Sequence, residues 1–214
     1  MSGIRSRFDL QQEMSSEFAW RKKELHKSKS FVVSNENTHY KEMAIRAATA
    51  LLYAHWERFI RSIGNFYLEF VSRQQLKHEE LKANFLAIVV RKQLRDNGGL
   101  LKMDKCLGIV QFFRSDGPKR SNMPWDKETN TKSNLNSDVF QEIVAMLGLD
   151  YTKFATKEKL LDEKLLKNRN TIAHGQYLLV DFAEYMSMHD EIVDMMQEFY
   201  DQVDNAAFTR AFRM

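Results

Sequence analysis

Met43-Ala-Ile-Arg-Ala-Ala-Thr-Ala-Leu-Leu-Tyr-Ala-His-Trp-Glu-Arg-Phe-Ile60 lies inside the longest helical pattern of the chain, which runs from about Asn37 to Gln75. Good helix formers dominate it, no proline interrupts it, and apolar residues recur at spacings of three and four. The apolar stripe is read through Met43, Ala47, Ala50, Leu51, Ala54, Phe59, Ile63, Phe66, Phe70 and Val71, with Gly64 as the weak point where the helix would bend. Within Leu51–Ile60, three polar residues, His55, Glu57 and Arg58, interrupt the apolar company. Polar groups in such a place are either buried with partners or face a cleft.

The same helical spacing extends outward in both directions, so the fold is expected to be all-α. Upstream, about Phe8 to Lys27 carries Leu10, Met14, Phe18 (or Glu17), Arg21 and Leu25 at roughly heptad spacing. A stripe this thin suits an arm lying on another surface, such as a second subunit, and equally a helix packed on its own domain. The division expected is an N-terminal helical arm over residues 1–35 and one globular helical domain over 36–214. Downstream, a helix over Glu79 to Arg95 would bury Leu81, Phe85, Ile88 and Val89 and stop at Asn97-Gly98-Gly99. The next, Leu100 to Phe113, would turn Met103, Cys106, Leu107, Val110 and Phe113 inward, with Cys106 as a small buried hydrophobe.

Both prolines, Pro118 and Pro124, fall between Ser115 and Asn136, the one long loop. Lys119, Arg120, Lys127 and Lys132 make it either a solvated loop or an RNA guide. Asn136 or Ser137 then caps a helix that buries Val139, Phe140, Ile143, Val144 and Leu147 and ends at Gly148. A helix from about Thr156 to His174 is held by Leu160, Leu161, Leu165 and Ile172. The last helix opens on the capping-box pattern Asp181-Phe-Ala-Glu184 and carries a methionine-rich apolar face to Phe208.

Of 214 residues, 43% are apolar and 29% charged, ordinary for a globular domain, and the net charge is only +3. Contact with nucleic acid must therefore come from a local patch. Charge is uneven: Tyr151 to Asn170 holds six Lys or Arg against three acids, whereas Asp181 to Asp204 holds eight acids and no Lys or Arg. That acidic face is read as solvated, with a basic partner as the alternative. The single cysteine, Cys106, leaves no thiolate cluster for zinc and fits a reducing interior. The N-terminus lacks the apolar core of a signal peptide, and no apolar run approaches the ~18 residues of a membrane span, so a cytoplasmic protein without membrane contact is expected.

The chemistry concentrates in Leu165-Leu-Lys-Asn-Arg-Asn-Thr-Ile-Ala-His-Gly175. Arg169 offers a permanent planar cation that can hold a phosphate bidentately, and His174 an imidazole that can take or give a proton near neutral pH. Residues five apart on a helix are rotated by about 140°, whereas residues four apart nearly superimpose. Asn170 and His174 therefore share a face and Arg169 points elsewhere. Two copies of the segment across a two-fold axis would let each Arg169 complement the other chain's His174. The fitting chemistry is RNA transesterification without metal or cofactor: His174 as general acid or base, Arg169 stabilising charge on phosphorus, Asn170 orienting the imidazole or the phosphate. Lys164, Lys167 and Arg58 are the cations expected to hold the RNA. No phosphate-binding Gly-Lys-Ser/Thr loop, Gly-x-Ser-x-Gly elbow or metal-spaced histidine pair competes. Against this stands a non-catalytic helical module that binds nucleic acid or a partner protein through the same basic helix.

Arg169-Asn170-x-x-x-His174-Gly175 resembles the Arg-x(4–6)-His motif of the HEPN superfamily, in which a polar residue follows the Arg. The wider chain is similar to MAE-type HEPN-like nucleases in three blocks, in order: Leu52-Tyr-Ala-His-Trp-Glu57, Thr131-x-Ser-Asn-Leu-Asn136 and Arg169-Asn-x-Ile-Ala-His-Gly175. The resemblance implies a HEPN-like helical bundle, a homodimer that juxtaposes the motif helices, metal-independent RNase activity, and a role as toxin or antiviral defence effector with an antitoxin or defence partner. It also raises Glu57 and His55 as supporting residues, without choosing between them. One departure is Tyr177, which stands at His-x-x-Tyr rather than the His-x-Tyr of the branch whose toxins are modified on that tyrosine.

Overall fold

The computed structural model describes residues 3–95, 103–126, 128–131 and 134–214, and among these the regular elements are helices, with only two isolated bridges besides. In chain order they are α1 (Arg7–Ser34), α2 (Lys41–Arg73), α3 (Ala83–Arg95), α4 (Met103–Ser115), α5 (Ser137–Leu147), α6 (Lys167–Ala173) and α7 (Phe182–Phe208). Helix α2 is the axis of the bundle: α1, α5, α6 and α7 all pack on it. The core between them is aromatic, with Trp56, Phe59, Phe140, Phe199 and Tyr185 fully buried and the Trp56 and Phe140 rings 5.0 Å apart, edge to face.

Helix α1 opens on a capping box between Ser6 and Asp9 and buries Leu10, Met14, Phe18, Arg21 and Leu25, the expected stripe, to which Val32 is added. That stripe is covered within its own chain, by α2 and α7. The stripe expected for α2 is out of phase over its first half. Met43, Ala47 and Ala54 are exposed and Leu51 half-buried, whereas Ala44, Ile45, Ala48, Leu52, Trp56 and Ile60 form the core. Nearly every position of that half is apolar or small, so periodicity alone cannot choose the inward face. From Phe59 onward expectation and structure agree. Gly64 marks no break in α2; a Cβ there would lie 2.8 Å from Thr129 Cγ2, so its missing side chain makes room for a neighbouring segment.

Helix α3 begins later than expected because Leu81 is extended (φ −90°, ψ 140°) and bridges to Arg213, but its inward face is as read. The Asn97-Gly98-Gly99 stop and the start of the next helix at Leu100 lie outside the described residues. Helix α4 is turned over relative to expectation: Met103, Leu107, Val110 and Phe113 are exposed, Cys106 is only half-buried and Phe112 is inward. Adjacent Phe112 and Phe113 give the helix two apolar faces, and tertiary packing selects the one that sets Phe112 edge-on to the His78 ring at 4.8 Å.

The chain leading to α6 is a π-helical turn, Leu160–Leu166. Leu160, Leu161, Leu165 and Leu166 are buried there, a spacing of five that suits i→i−5 bonding, and Lys167 N–H donates to Asp162 O. Ile172 is only half-buried. Asp162 also accepts from Ser137 N–H at 2.8 Å and Ser137 Oγ at 2.5 Å, tying this turn to the start of α5, whose N-cap is Asn136. The acids of α7 are partly answered in cis, by Lys157 to Glu191 (2.7 Å) and Lys164 to Glu184 (3.4 Å). No helix among the described residues is long and apolar enough to cross a membrane.

Between α4 and α5 the proline-containing segment is a strap that descends α2 antiparallel to it. Ser121 N–H donates to Leu76 O (2.8 Å), Ser72 Oγ to Met123 O (2.7 Å), and Thr129 Oγ1 to Arg61 O (3.0 Å) and Asn65 Oδ1 (2.6 Å). Thr131 then reaches Glu57 and Leu135 reaches Tyr53. Lys127 and Lys132, two of the loop's cations, lie outside the described residues.

Candidate active site

Helix α6 lies on α2 and delivers Arg169 to it. The guanidinium carbon sits 4.0 Å from the centre of the Tyr53 ring, and Nη2 lies 3.8 Å from Glu57 Oε2. Tyr53 and Glu57 are one helical turn apart, so ring and carboxylate present one face to the arginine. The strap completes the arrangement from behind. Thr131 Oγ1 donates to Glu57 Oε1 at 2.5 Å, and Leu135 N–H donates to the Tyr53 hydroxyl at 2.7 Å. Burial pushes the Tyr53 phenol above its ordinary pKa, against the opposing Leu135 hydrogen bond, so the ring stays neutral beneath the cation. Arg169 remains 22% exposed and Glu57 18%, enough for the guanidinium edge to meet an incoming anion.

His174 closes α6. It is the C-cap residue (φ −84°, ψ 8°), and Gly175 follows at φ +72°, in the left-handed region that glycine adopts without strain. Gly175 N–H bonds Ile172 O and Gln176 N–H bonds Thr171 O, the paired bonds of a Schellman stop. The imidazole is exposed and forms no hydrogen bond or ion pair with any described residue. Asn170, half-buried one turn before it, donates from Nδ2 to Asn134 Oδ1 at 3.5 Å. Arg169 thus faces α2 while His174 stands at the solvent-facing end of its helix.

Of the two supporting candidates, the structure brings Glu57 to Arg169 and His55 elsewhere. Two residues span about 200° of helix, so His55 faces α1. There it is buried, with Nδ1 3.1 Å from Arg21 Nη1 and Nε2 3.0 Å from Glu24 Oε2. An arginine can only donate, so Nδ1 accepts and the ring proton sits on Nε2, toward Glu24. Burial, and next the Arg21 charge, hold the imidazole below its ordinary pKa. Arg21 is itself bound to Glu17 at 2.6 Å and lies 4.5 Å over the Trp20 ring.

Among the cations expected to hold RNA, Lys167 and Arg58 are exposed and unpaired among the described residues, while Lys164 leans toward Glu184 of α7. Tyr53, Thr131 and Asn134 were not singled out by chemistry-bearing spacing. The available signal was that Tyr53 stands four residues before Glu57, and that Thr131 and Asn134 belong to a polar run directly before a helix cap. Among the described residues, no three His, Cys, Asp or Glu side chains gather where they could hold a metal ion.

A family model for the HEPN_MAE_28990-like HEPN matches residues 10–212. No curated protein and no solved structure matches the chain.

Proposed function

The chain belongs to the HEPN_MAE_28990-like HEPN family, and from that membership, which points to a nuclease-like or RNA-related role, we propose that it is an endoribonuclease whose cleft is completed by a second copy of itself. In this reading the RNA 2′-oxygen forms a bond to the adjacent phosphorus while the bond from phosphorus to the 5′-oxygen breaks. The 2′-hydroxyl proton leaves to a base and the departing 5′-oxygen gains one. The products are a 2′,3′-cyclic phosphate and a 5′-hydroxyl. His174 moves the proton, Arg169 stabilises the extra charge on the phosphoryl oxygens, and Asn170 orients the reacting groups. Glu57, Tyr53 and Thr131 hold Arg169 in place and touch no substrate. DNA lacks the nucleophile and is not cut. The reaction needs no added metal, and the cellular role proposed with it is that of a toxin or antiphage defence effector restrained by a partner.

The observation that carries the reading is the separation of the two groups: Arg169 is held inward on α2, and His174, without a partner among the described residues, stands at the exposed end of α6. A cleft using both is most simply made by two copies related by a two-fold axis. The test is subunit mixing in EDTA with labelled RNA and DNA. Arg169→Ala and His174→Ala proteins, each inactive alone, should regain RNA cleavage when mixed and re-associated, because one of the two shared sites then has both native groups. Absence of any recovery in verified mixed dimers would place both groups within one chain. RNA cleavage by both single variants would remove the site assignment.

A further inference from the structure

At the far end of α2 from Glu57, a polar cavity of about 470 Å³ opens between the end of the helix and the start of the strap. Its volume falls in the range of about 300–1,000 Å³ usual for small-molecule sites. Arg73, Gln75, Arg120, Ser121, Asn122 and Trp125 line it, and no carboxylate does. Arg73 is fixed rather than free: Nε donates to Glu69 Oε1 at 2.7 Å, and its guanidinium carbon lies 6.0 Å from the Trp125 ring centre. Its terminal nitrogens make no hydrogen bond with a described residue. Arg120, exposed, is steadied from the other side by Gln75 Oε1 at 3.4 Å. Between them the Ser121 hydroxyl is buried and has no partner among the described residues, an unmet polar group at the cavity wall.

Two guanidiniums, an aromatic face and an unsatisfied hydroxyl are the parts from which single-stranded nucleic acid sites are made. The cavity and the candidate active site also lie along the same helix. Arg73 stands sixteen residues beyond Glu57 on the unbroken α2, a rise of about 24 Å. Described strap residues bond at both ends of that length, Ser121 to Leu76 and Thr131 to Glu57. We propose that this cavity is a second RNA subsite, taking one nucleotide several positions away from the scissile phosphate, with the base on Trp125 and the phosphate between Arg73 and Arg120. It rests on the RNase reading for the identity of the ligand, and it makes the enzyme prefer long single strands to short ones.

The test measures binding of a fluorescent single-stranded RNA of about 12 nucleotides and of a dinucleotide, in the uncleaving His174→Ala protein. Trp125→Leu should weaken the long RNA about fivefold or more, Trp125→Phe should restore most of the loss, and neither should change dinucleotide affinity. Arg120→Ala, at an exposed position that risks little in folding, should make the salt dependence of long-RNA binding shallower by about 0.7 in logarithmic slope. With His174 present, Arg120→Ala should raise KM for the long RNA and leave dinucleotide cleavage unaltered. Equal long-RNA affinity in Arg120→Ala, Trp125→Leu and the parent overturns the subsite, as does failure of the parent to bind RNA. Binding that depends on Arg120 and Trp125 without any cleavage by the native protein keeps the subsite and removes the RNase reading.

Discussion

The α1 side and the α6 side of α2 are built from the same kinds of residue and put to different use. On the α1 side Arg21 lies over Trp20, pairs with Glu17 at 2.6 Å and touches His55 at 3.1 Å. On the α6 side Arg169 lies over Tyr53 and pairs with Glu57 at 3.8 Å, but the histidine of that side, His174, stands apart in solvent. Arg21 is 4% exposed and Arg169 22%. A set closed on itself satisfies its own charges and fixes one helix on another. On the α6 side the longer ion pair and the displaced imidazole leave the set open, and the RNase proposed above would use it on a substrate.

The strongest way to break the comparison is to remove the open set. Arg169→Ala or His174→Ala should lower RNA cleavage by about 10²–10³-fold, the usual loss when a charge-stabilising or proton-moving group is deleted. The melting temperature should change little for the exposed His174. Removing the closed set should do the converse. Arg21→Met leaves Glu17 and His55 without their partner, so unfolding by urea should show a loss of about 3 kcal/mol. Cleavage per folded molecule should persist, and a folded but inactive Arg21→Met protein would end the division of labour drawn between the two sides.

A smaller effect sharpens it. Glu57→Gln keeps the shape and the Thr131 contact but drops the charge that draws Arg169 to α2, so kcat should fall about tenfold with KM nearly constant. An unchanged kcat would mean that Tyr53 alone positions the guanidinium. The smallest effect is in pH. Burial and the Arg21 charge keep the folded-state pKa of His55 below its ordinary value, so the unfolded chain binds a proton that the folded chain refuses. That contribution to stability is complete above the ordinary pKa and is lost as pH falls through it toward the lowered value. Between about pH 7.5 and about pH 5.5 the wild-type melting temperature should therefore drop further than that of His55→Gln; parallel curves would show that His55 is not the group responsible.

Most of this architecture was legible in the residues, with losses at places where a pattern admits two answers. The heptad stripe of α1 identified most of its buried face, because charges flank it on both sides, and left the choice of Phe18 over Glu17 to the structure. The Met43–Leu52 region could not be phased in that way, since almost any rotation buries something apolar there, and α4 failed for the same reason at Phe112 and Phe113. At the site, helical spacing separated Arg169 from His174, while the family resemblance raised Glu57 and His55 together without choosing between them. Choosing between those two needed the packing of α1 and α6 on opposite sides of α2. The contacts of Tyr53 and Thr131 needed the path of the strap, which local propensity does not encode. Belonging to a HEPN family agrees with the resemblance carried by the three sequence blocks.

The wide turn Leu160–Leu166 should let the chain tolerate the loss of one residue. Loss of a single codon inside an ordinary helix misaligns its packed face. Loss of the exposed Glu163 here would let the turn relax to regular helix, so the protein should still fold with a normal circular dichroism spectrum. A wide turn holds one residue more than regular helix for nearly the same rotation, so the helix after the deletion should keep its phase to within about 30°, with Arg169 still over Tyr53 and beside Glu57, and the deletion product should retain both its helicity and the RNase activity proposed for the native chain. The turn thus acts as slack in the chain: it takes up one residue without changing which side of the following helix meets α2.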